Sequence, residues 1–346
     1  MSRVFLKFTT TLEKETLFRF WEEETEDFLE TSPFERGRDF WVVDTAVKLY
    51  FPELEGITAK AYPINGGERC KSIDRVFELI SVIQGLRPLP KRVLVLGGGA
   101  VIDLVGYAVS TSMPNLELVA IPTTPSAQMS GFFSGKFFLD FDRKKDVFFV
   151  FSQPREYWIS PRFLKKYELD TIRQTHLFSL GVSWAFEPKF TPLVKKSLSL
   201  LVNNHVDWIL VGEIIRETLH LRAKYCNQTP AFPGEVAARL IQTASGLQLD
   251  WLPSLYEGMH FELFVSRELG MIDEVCYNQL CDDLRLIAVP QKTRIDLQTL
   301  IWGIRNDEKY QLCLVKAIGD SQLTGILGTE LKFFFKSFFP GFHGRG

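Results

Sequence analysis

Cysteine is scarce and scattered: five residues, at 70, 226, 276, 281 and 313, with no CxxC pair among them. That spacing excludes a disulfide framework and a zinc ribbon, and it suits a reducing compartment such as the cytoplasm. No run of about 18 apolar residues exists, so no membrane-spanning helix is expected. The opening stretch MSRVFLKFTTTLEKE lacks the long apolar core of a secretory signal. Charge of one sign is missing too. Forty Lys and Arg against 42 Asp and Glu leave −2, which gives no general field for nucleic acid. The P-loop, the GxSxG elbow and the HExxH pair are all absent, as are internal repeats and low-complexity tracts.

What is present is an ordinary globular composition, 46% apolar and 24% charged, with an aromatic excess carried by 30 Phe. A chain of 346 residues suits two medium domains. The first half alternates strand-like and helix-like runs. Asp39–Asp44 reads as a strand and 45–50 as a helix. Lys60–Ile64 is a short strand, and 72–85 repeats apolar residues at helical spacing. Val93–Leu96 is a fully apolar strand running into Gly97-Gly98-Gly99; 100–112 is helical and 116–121 is again a strand. The pattern predicts an α/β domain over 1–160, a parallel sheet wrapped by helices. From 161 to 346 long helical patterns dominate (162–180, 191–203, 205–225, 234–247, 261–269, 272–288, 295–304), with a strand-like run at 311–316. The expected second domain is mainly helical, with a cleft between the two. The aromatic tail Lys332–Phe339 is expected to pack on the body or on a partner. Glu22–Asp27 reads as a solvated helix face.

The triple glycine has a mechanical meaning. Glycines let the backbone approach a pyrophosphate, and the following helix offers free N–H donors. A tight strand-to-helix turn would explain them equally well, and the spacing is not GxGxxG.

The neighbouring motifs are more specific. Gly97–Tyr107 (GGGAVIDLVGY) and Ile121–Lys136 (IPTTPSAQMSGFFSGK) resemble the GGGxxxDxxGF and PTTLLAQVDSSVGGK stretches of the 3-dehydroquinate synthase family. Gly67–Lys71 is similar to its GExxK, Lys145–Pro154 to its KNxxGxFxQP, and Asp307–Lys309 to its DKK. Iron-dependent alcohol dehydrogenases share the glycine and PTT elements but not the AQ…GK segment. The resemblance covers residues 40 to 320 and implies a Rossmann-like nucleotide-binding domain with bound NAD. Asp44 would take the adenosine ribose, with Glu68 and Lys71 nearby. Gly98, Gly99 and Asp103 would border the pyrophosphate and nicotinamide ribose, and Thr123 and Thr124 would line the nicotinamide. Lys136, Lys145, Lys309 and Arg222 would serve a phosphorylated sugar or related polyol.

The family's chemistry also implies a divalent metal, held by one Glu and two His, that polarises the substrate alcohol and ketone. Here those positions carry Trp184 (or Ser183 on a shifted alignment), Glu235 and Trp251, while Glu187 and Arg239 replace a Lys and a further His. His176, His205, His220, His260 and His343 fall elsewhere; His260 alone is a candidate for a shifted ligand, and a lone His there is more often structural, so no metal is expected. Ser130, Gly131, Phe132, Phe133 and Phe137 replace or flank substrate-side positions, and with Trp184 and Trp251 the Phe132 and Phe133 rings would dry the pocket. Three readings follow. The first is a non-catalytic homologue that keeps the fold and NAD and acts as a partner or regulatory subunit, as a homodimer or with an active homologue. The second is a metal-independent, phosphate-eliminating cyclase of altered substrate. The third, a polyol dehydrogenase, lacks its own Asp and His ligand cluster.

Overall fold

The computed structural model describes residues 3–9, 15–21, 38–131, 133–227, 231–287 and 295–339. Glu22–Asp27, Phe132 and His343 lie outside the described residues. The chain divides into two compact units, Met1–Asp142 with Asp146–Tyr167, and Arg143–Lys145 with Glu168–Gly346.

In chain order the first unit contains β1 (Arg3–Thr9), β2 (Glu15–Phe20), β3 (Asp39–Asp44), α1 (Thr45–Tyr50), α2 (Glu55–Thr58) and β4 (Tyr62–Ile64). It continues through α3 (Ile73–Gly85), β5 (Arg92–Gly97), α4 (Gly99–Ser112), β6 (Glu117–Pro122) and α5 (Pro125–Ser130). A ribbon of β7 (Lys136–Phe141) and β8 (Lys144–Phe151) follows, then β9 (Glu156–Ile159). Seven strands form one sheet in the order β1-β2-β9-β6-β5-β3-β4. Six are parallel; β1 runs antiparallel on the edge. The central strands are apolar throughout because both faces are covered: Val93, Leu94, Val95 and Leu96 expose no surface. On one face α1, α2 and the turn between them pack Val47, Phe51, Leu54 and Ile57 against Val43, Leu94, Leu96, Val119 and Ile121. Side chains capping helix starts fix where the helices begin. Asp44 caps α1, Ser72 caps α3 and Thr124 caps α5.

The strand order has a functional consequence. β3 lies between β4 and β5, so the connections leaving β3 and β5 run in opposite directions across the sheet. Such a reversal opens a crevice at the carboxyl ends of the two strands, the preferred ligand position in open parallel sheets. Asp44 and Gly97 are the residues that end them.

The second unit is mainly helical: α6 (Leu169–Phe186), α7 (Thr191–Val202), α8 (Trp208–Tyr225), α9 (Glu235–Ala244), α10 (Trp251–Glu268), α11 (Glu274–Arg285) and α12 (Leu297–Gly303). A hairpin of β10 (Lys309–Ala317) and β11 (Asp320–Leu327) and a final helix α13 (Gly328–Phe338) complete it. α6 is buried without interruption from Gln174 to Ala185, as a helix central to its unit must be. The core gathers Ile241, Phe261, Val265, Leu300, Leu312, Leu314, Leu331 and Phe335. The aromatic tail is helical and docks on its own unit. Phe335 stacks on Phe261 at 3.8 Å, and Phe338 reaches Phe261 and Phe264.

The alternating pattern located the central strands to within a residue or two. Elsewhere the structure differs. Residues 161–166 form a 3-10 turn of the first unit, with proline at its start, rather than the opening of a helix. α10 begins at Trp251, ten residues before its apolar periodicity became clear. The ribbon strands β7 and β8 were hidden because their exposed face is also apolar. No helix among the described residues is long and apolar enough to cross a membrane.

Because Phe335 is wholly buried against Phe261, Phe335→Ala is expected to cost about 3–5 kcal/mol. Urea unfolding followed by a probe in the second unit will show it as a lower midpoint at unchanged slope.

Candidate functional site

The crevice is built by close backbone approach. Asp44 is 8% exposed, and its Oδ1 accepts the Ala46 N–H at 3.0 Å. A Cβ on Gly66 would sit 2.2 Å from Asp44 Oδ2, and one on Gly97 would sit 2.9 Å from Asp44 Cβ. Only glycine lets these two turns close around the carboxylate. Gly98 precedes the first turn of α4, and no side chain caps that turn. A Cβ on Gly98 would meet Thr124 Cγ2 at 3.0 Å, whereas Gly99 faces open space. The Thr123 N–H donates to the Gly97 carbonyl at 3.0 Å, tying the ends of β5 and β6 together. Asp44, Gly97–Gly99, Thr123 and Thr124 thus come together at one end of the sheet. A neighbouring cavity of about 160 Å³ is lined by Thr45, Tyr62, Ile64, Asn65, Arg75 and Leu104.

Glu68, Lys71 and Asp103 form a second cluster of the same unit. Lys71 is 3% exposed, with its Nζ 2.8 Å from Asp146, 3.1 Å from Asp103, 3.5 Å from Asp140 and 3.8 Å from Glu68. Burial works against the ammonium, but the carboxylates of Asp103, Asp146, Glu68 and Asp140 outweigh it and hold Lys71 charged well above the ordinary lysine range. Asp103 also accepts the Phe138 N–H at 3.3 Å, and the Lys71 carbonyl accepts the Asp140 N–H at 3.0 Å. Sequence reasoning placed Lys71 beside a ligand; the structure makes it the hub of an internal ion network. Asp140 and Asp146 were missed. The signal for Asp146 was an acid standing where the KN motif has an amide. Burial beside the carboxylates of Glu68 and Asp44 pushes the Cys70 thiol up to about 12, leaving it inert.

Of the four substrate cations, Lys136 stays on the ribbon. Its Nζ lies 4.3 Å from the Phe149 ring and 4.9 Å from Phe151. Phe137 is wholly buried and Phe133 stacks on Phe18 at 5.3 Å, so both are core residues. Gln128 of the AQ pair is buried and donates to the Pro122 and Ser160 carbonyls, a bracing role. Lys145 and Lys309 group with the second unit. The Lys145 N–H donates to Thr243 Oγ1 at 3.4 Å, and Lys309 is exposed at the start of β10.

Arg222 is not held out toward a ligand. It is buried, with its guanidinium 3.1 Å from Glu235 and 4.7 Å from the Phe232 ring. Glu235 also accepts the Phe232 N–H at 3.3 Å. Trp184 is entirely buried; its carbonyl accepts the Gly319 N–H, and its indole N–H finds no partner. Ser183 accepts the Thr191 hydroxyl and donates to the Leu180 carbonyl. Trp251 is half-buried at the first turn of α10. Burial pushes His260 down to about 4, and it packs against Tyr256. His176 is also held to about 4 by burial, between the Ile172 carbonyl and Ser197. Among the described residues, no three His, Cys, Asp or Glu side chains gather as a metal would require. These donors do not fit a divalent ion.

One carboxylate escaped sequence reasoning. Glu262 exposes no surface and accepts N–H groups from Ala237 at 3.1 Å and Cys313 at 3.2 Å, and from Gly234. It stitches the start of α9 to α10 and β10. Burial raises its pKa to about 8, against the backbone donors that favour the charge.

A family profile described as the N-terminal part of 3-dehydroquinate synthase matches residues 61–174. A 3-dehydroquinate synthase of Acetivibrio thermocellus is 24% identical over 308 residues, spanning 84% of this chain and 83% of its own. Over these stretches the chain is similar to the 3-dehydroquinate synthases. Its fold is that of the sugar-phosphate cyclases. A 2-epi-5-epi-valiolone synthase of Streptomyces hygroscopicus, solved with NAD+ and Zn2+, superposes with a TM-score of 0.76 at 17% identity, over 96% of this chain and 98% of its own. A 2-deoxy-scyllo-inosose synthase, solved with carbaglucose-6-phosphate, NAD+ and Co2+, gives 0.79 at 15% identity, over 97% and 99%.

Two outcomes follow. Lys71→Met strands four carboxylates in a buried site, so the first unit should lose about 3–5 kcal/mol, read by chemical unfolding. For Glu262, a folded pKa above its unfolded value means that its contribution is whole below about 4.5 and is lost as pH rises toward about 8. The second unit's melting temperature should fall across that window, and Glu262→Gln should flatten the fall.

Proposed function

We propose that this protein is an NAD-binding homologue of the sugar-phosphate cyclases with a rebuilt metal site and little or no 3-dehydroquinate synthase activity. Its role would be that of a partner or regulatory subunit in the cytoplasm, as a homodimer or with an active homologue. One observation carries the reading: Glu235, at a metal-ligand position of the family, is taken up by Arg222. With Trp184 and Trp251 at the other two positions, no divalent ion would meet the oxygen charge that develops in the family's reaction.

The nucleotide crevice, by contrast, fits its cofactor. Asp44 would read the adenosine ribose, and the uncapped start of α4 at Gly98 and Gly99 would receive the pyrophosphate. Asp103, held by Lys71, and the Thr123–Thr124 pair would border the nicotinamide end. NAD, when bound, supplies a hydride acceptor for a substrate alcohol. A phosphorylated sugar or related polyol is the ligand class that the family relationship supports. Lys136 favours the second reading, an active metal-independent cyclase. Its ammonium lies on the Phe149 and Phe151 rings, and it would act as the electrophile.

Calorimetry should give saturable heat with NAD for the wild type and none for Gly98→Trp. Elemental analysis should find zinc and cobalt well below one per chain. Phosphate release from the seven-carbon sugar phosphate that 3-dehydroquinate synthases use, with either metal added, should stay below roughly 1 per second, the lower edge of ordinary enzyme turnover. Ordinary turnover that survives chelators but is lost in Lys136→Ala would instead establish the second reading.

A further inference from the structure

The cavity framed by β4, α3 and α4 has a use that the nucleotide reading does not supply, since none of Asp44, Gly97–Gly99, Thr123 and Thr124 is among its lining residues. Its floor is apolar: Ile64, Leu79 and Leu104 line it, and each is buried. Its rim is polar and carries one charge of each sign. The Tyr62 hydroxyl donates to Glu78 Oε1 at 2.9 Å, and the Arg75 guanidinium donates to Glu78 Oε2 at 2.7 Å. Arg75 and Glu78 stand one turn apart on α3 with side chains 54% and 48% exposed, so a solute reaches both. The bonds from Tyr62 and Arg75 hold Glu78 below the ordinary carboxylate range, which keeps it ionised at neutral pH. A second rim pair, Thr45 and Asn65, is joined by a hydrogen bond of 3.0 Å.

We propose that this cavity binds a free α-amino acid with a large apolar side chain. Size, charge and layout each select that class. The cavity measures about 160 Å³, and apolar cavities of about 150 Å³ take up a benzene ring. A phenyl or branched aliphatic side chain therefore fills it. A carboxylate alone would gain Arg75 but face Glu78, and an ammonium alone would gain Glu78 but face Arg75. An α-amino acid carries both charges on one carbon, side by side as the two rim charges are. The layout keeps the cost of binding low, because the side chain enters the apolar floor while the charged head stays at the hydrated rim. A phosphorylated sugar offers nothing to that floor. The site is independent of NAD binding and of the metal positions in the second unit.

Calorimetry of the full chain with L-phenylalanine, in the absence of NAD, tests it. Saturable heat is expected, together with a higher melting temperature of the first unit. Phenethylamine and 3-phenylpropionate, which each lack one of the two charges, should bind at least tenfold more weakly. Arg75→Gln and Glu78→Gln should each weaken phenylalanine at least tenfold, and Leu79→Phe, which fills the floor, should abolish its heat. Should Leu79→Phe fail to fold, the two exposed rim variants still decide the matter. An absence of heat, or heat unchanged in both rim variants, would overturn the proposal, as would equal binding of phenethylamine. Loss of the phenylalanine heat at saturating NAD would overturn it too, by showing that the cavity seats the nucleotide's base instead. The NAD titration with Gly98→Trp reports separately on the crevice, so failure of one reading does not disguise failure of the other.

Discussion

The Lys71 ammonium lies almost out of reach of water, and four carboxylates converge on it from different parts of the chain. Glu68 comes from the turn before α3, Asp103 from α4, Asp140 from β7 and Asp146 from β8. Removing such a charge from solvent costs several kcal/mol, so it persists only where its partners are fixed. The converse also holds, since the four acids can lie this close together only around a cation. The Lys71 ammonium thereby ties α4, β7 and β8 to the turn before α3. A lysine that looked like a ligand contact in the sequence is the hub of an internal ion network.

Much of the first unit was legible because the physics there is local or periodic. A strand buried on both faces must be apolar throughout, as Val93–Leu96 is, and a turn that closes on a carboxylate must be glycine, as Gly66 and Gly97 are. The second unit was less legible. Whether a residue such as Arg222 faces a ligand or an internal partner depends on a residue thirteen positions away, and helical spacing does not encode that pairing. Glu262 was invisible for a related reason. Its partners are backbone N–H groups, which every residue carries, so no residue type marks the place where they converge.

The two units thus contrast in how they treat polar groups. In the first, the crevice beyond β3 and β5 keeps an uncapped helix start and an open approach at Gly99. In the second, the polar groups are turned inward: Arg222 meets Glu235, Ser183 meets Thr191 and Trp184 fills space.

The Arg222–Glu235 pair has a consequence for substitution. Replacing either partner alone leaves the other's charge less well compensated in a buried site, so each single change should cost more than the double change. The salt bridge thus couples α8 to the start of α9, and what one position can carry is set by the other.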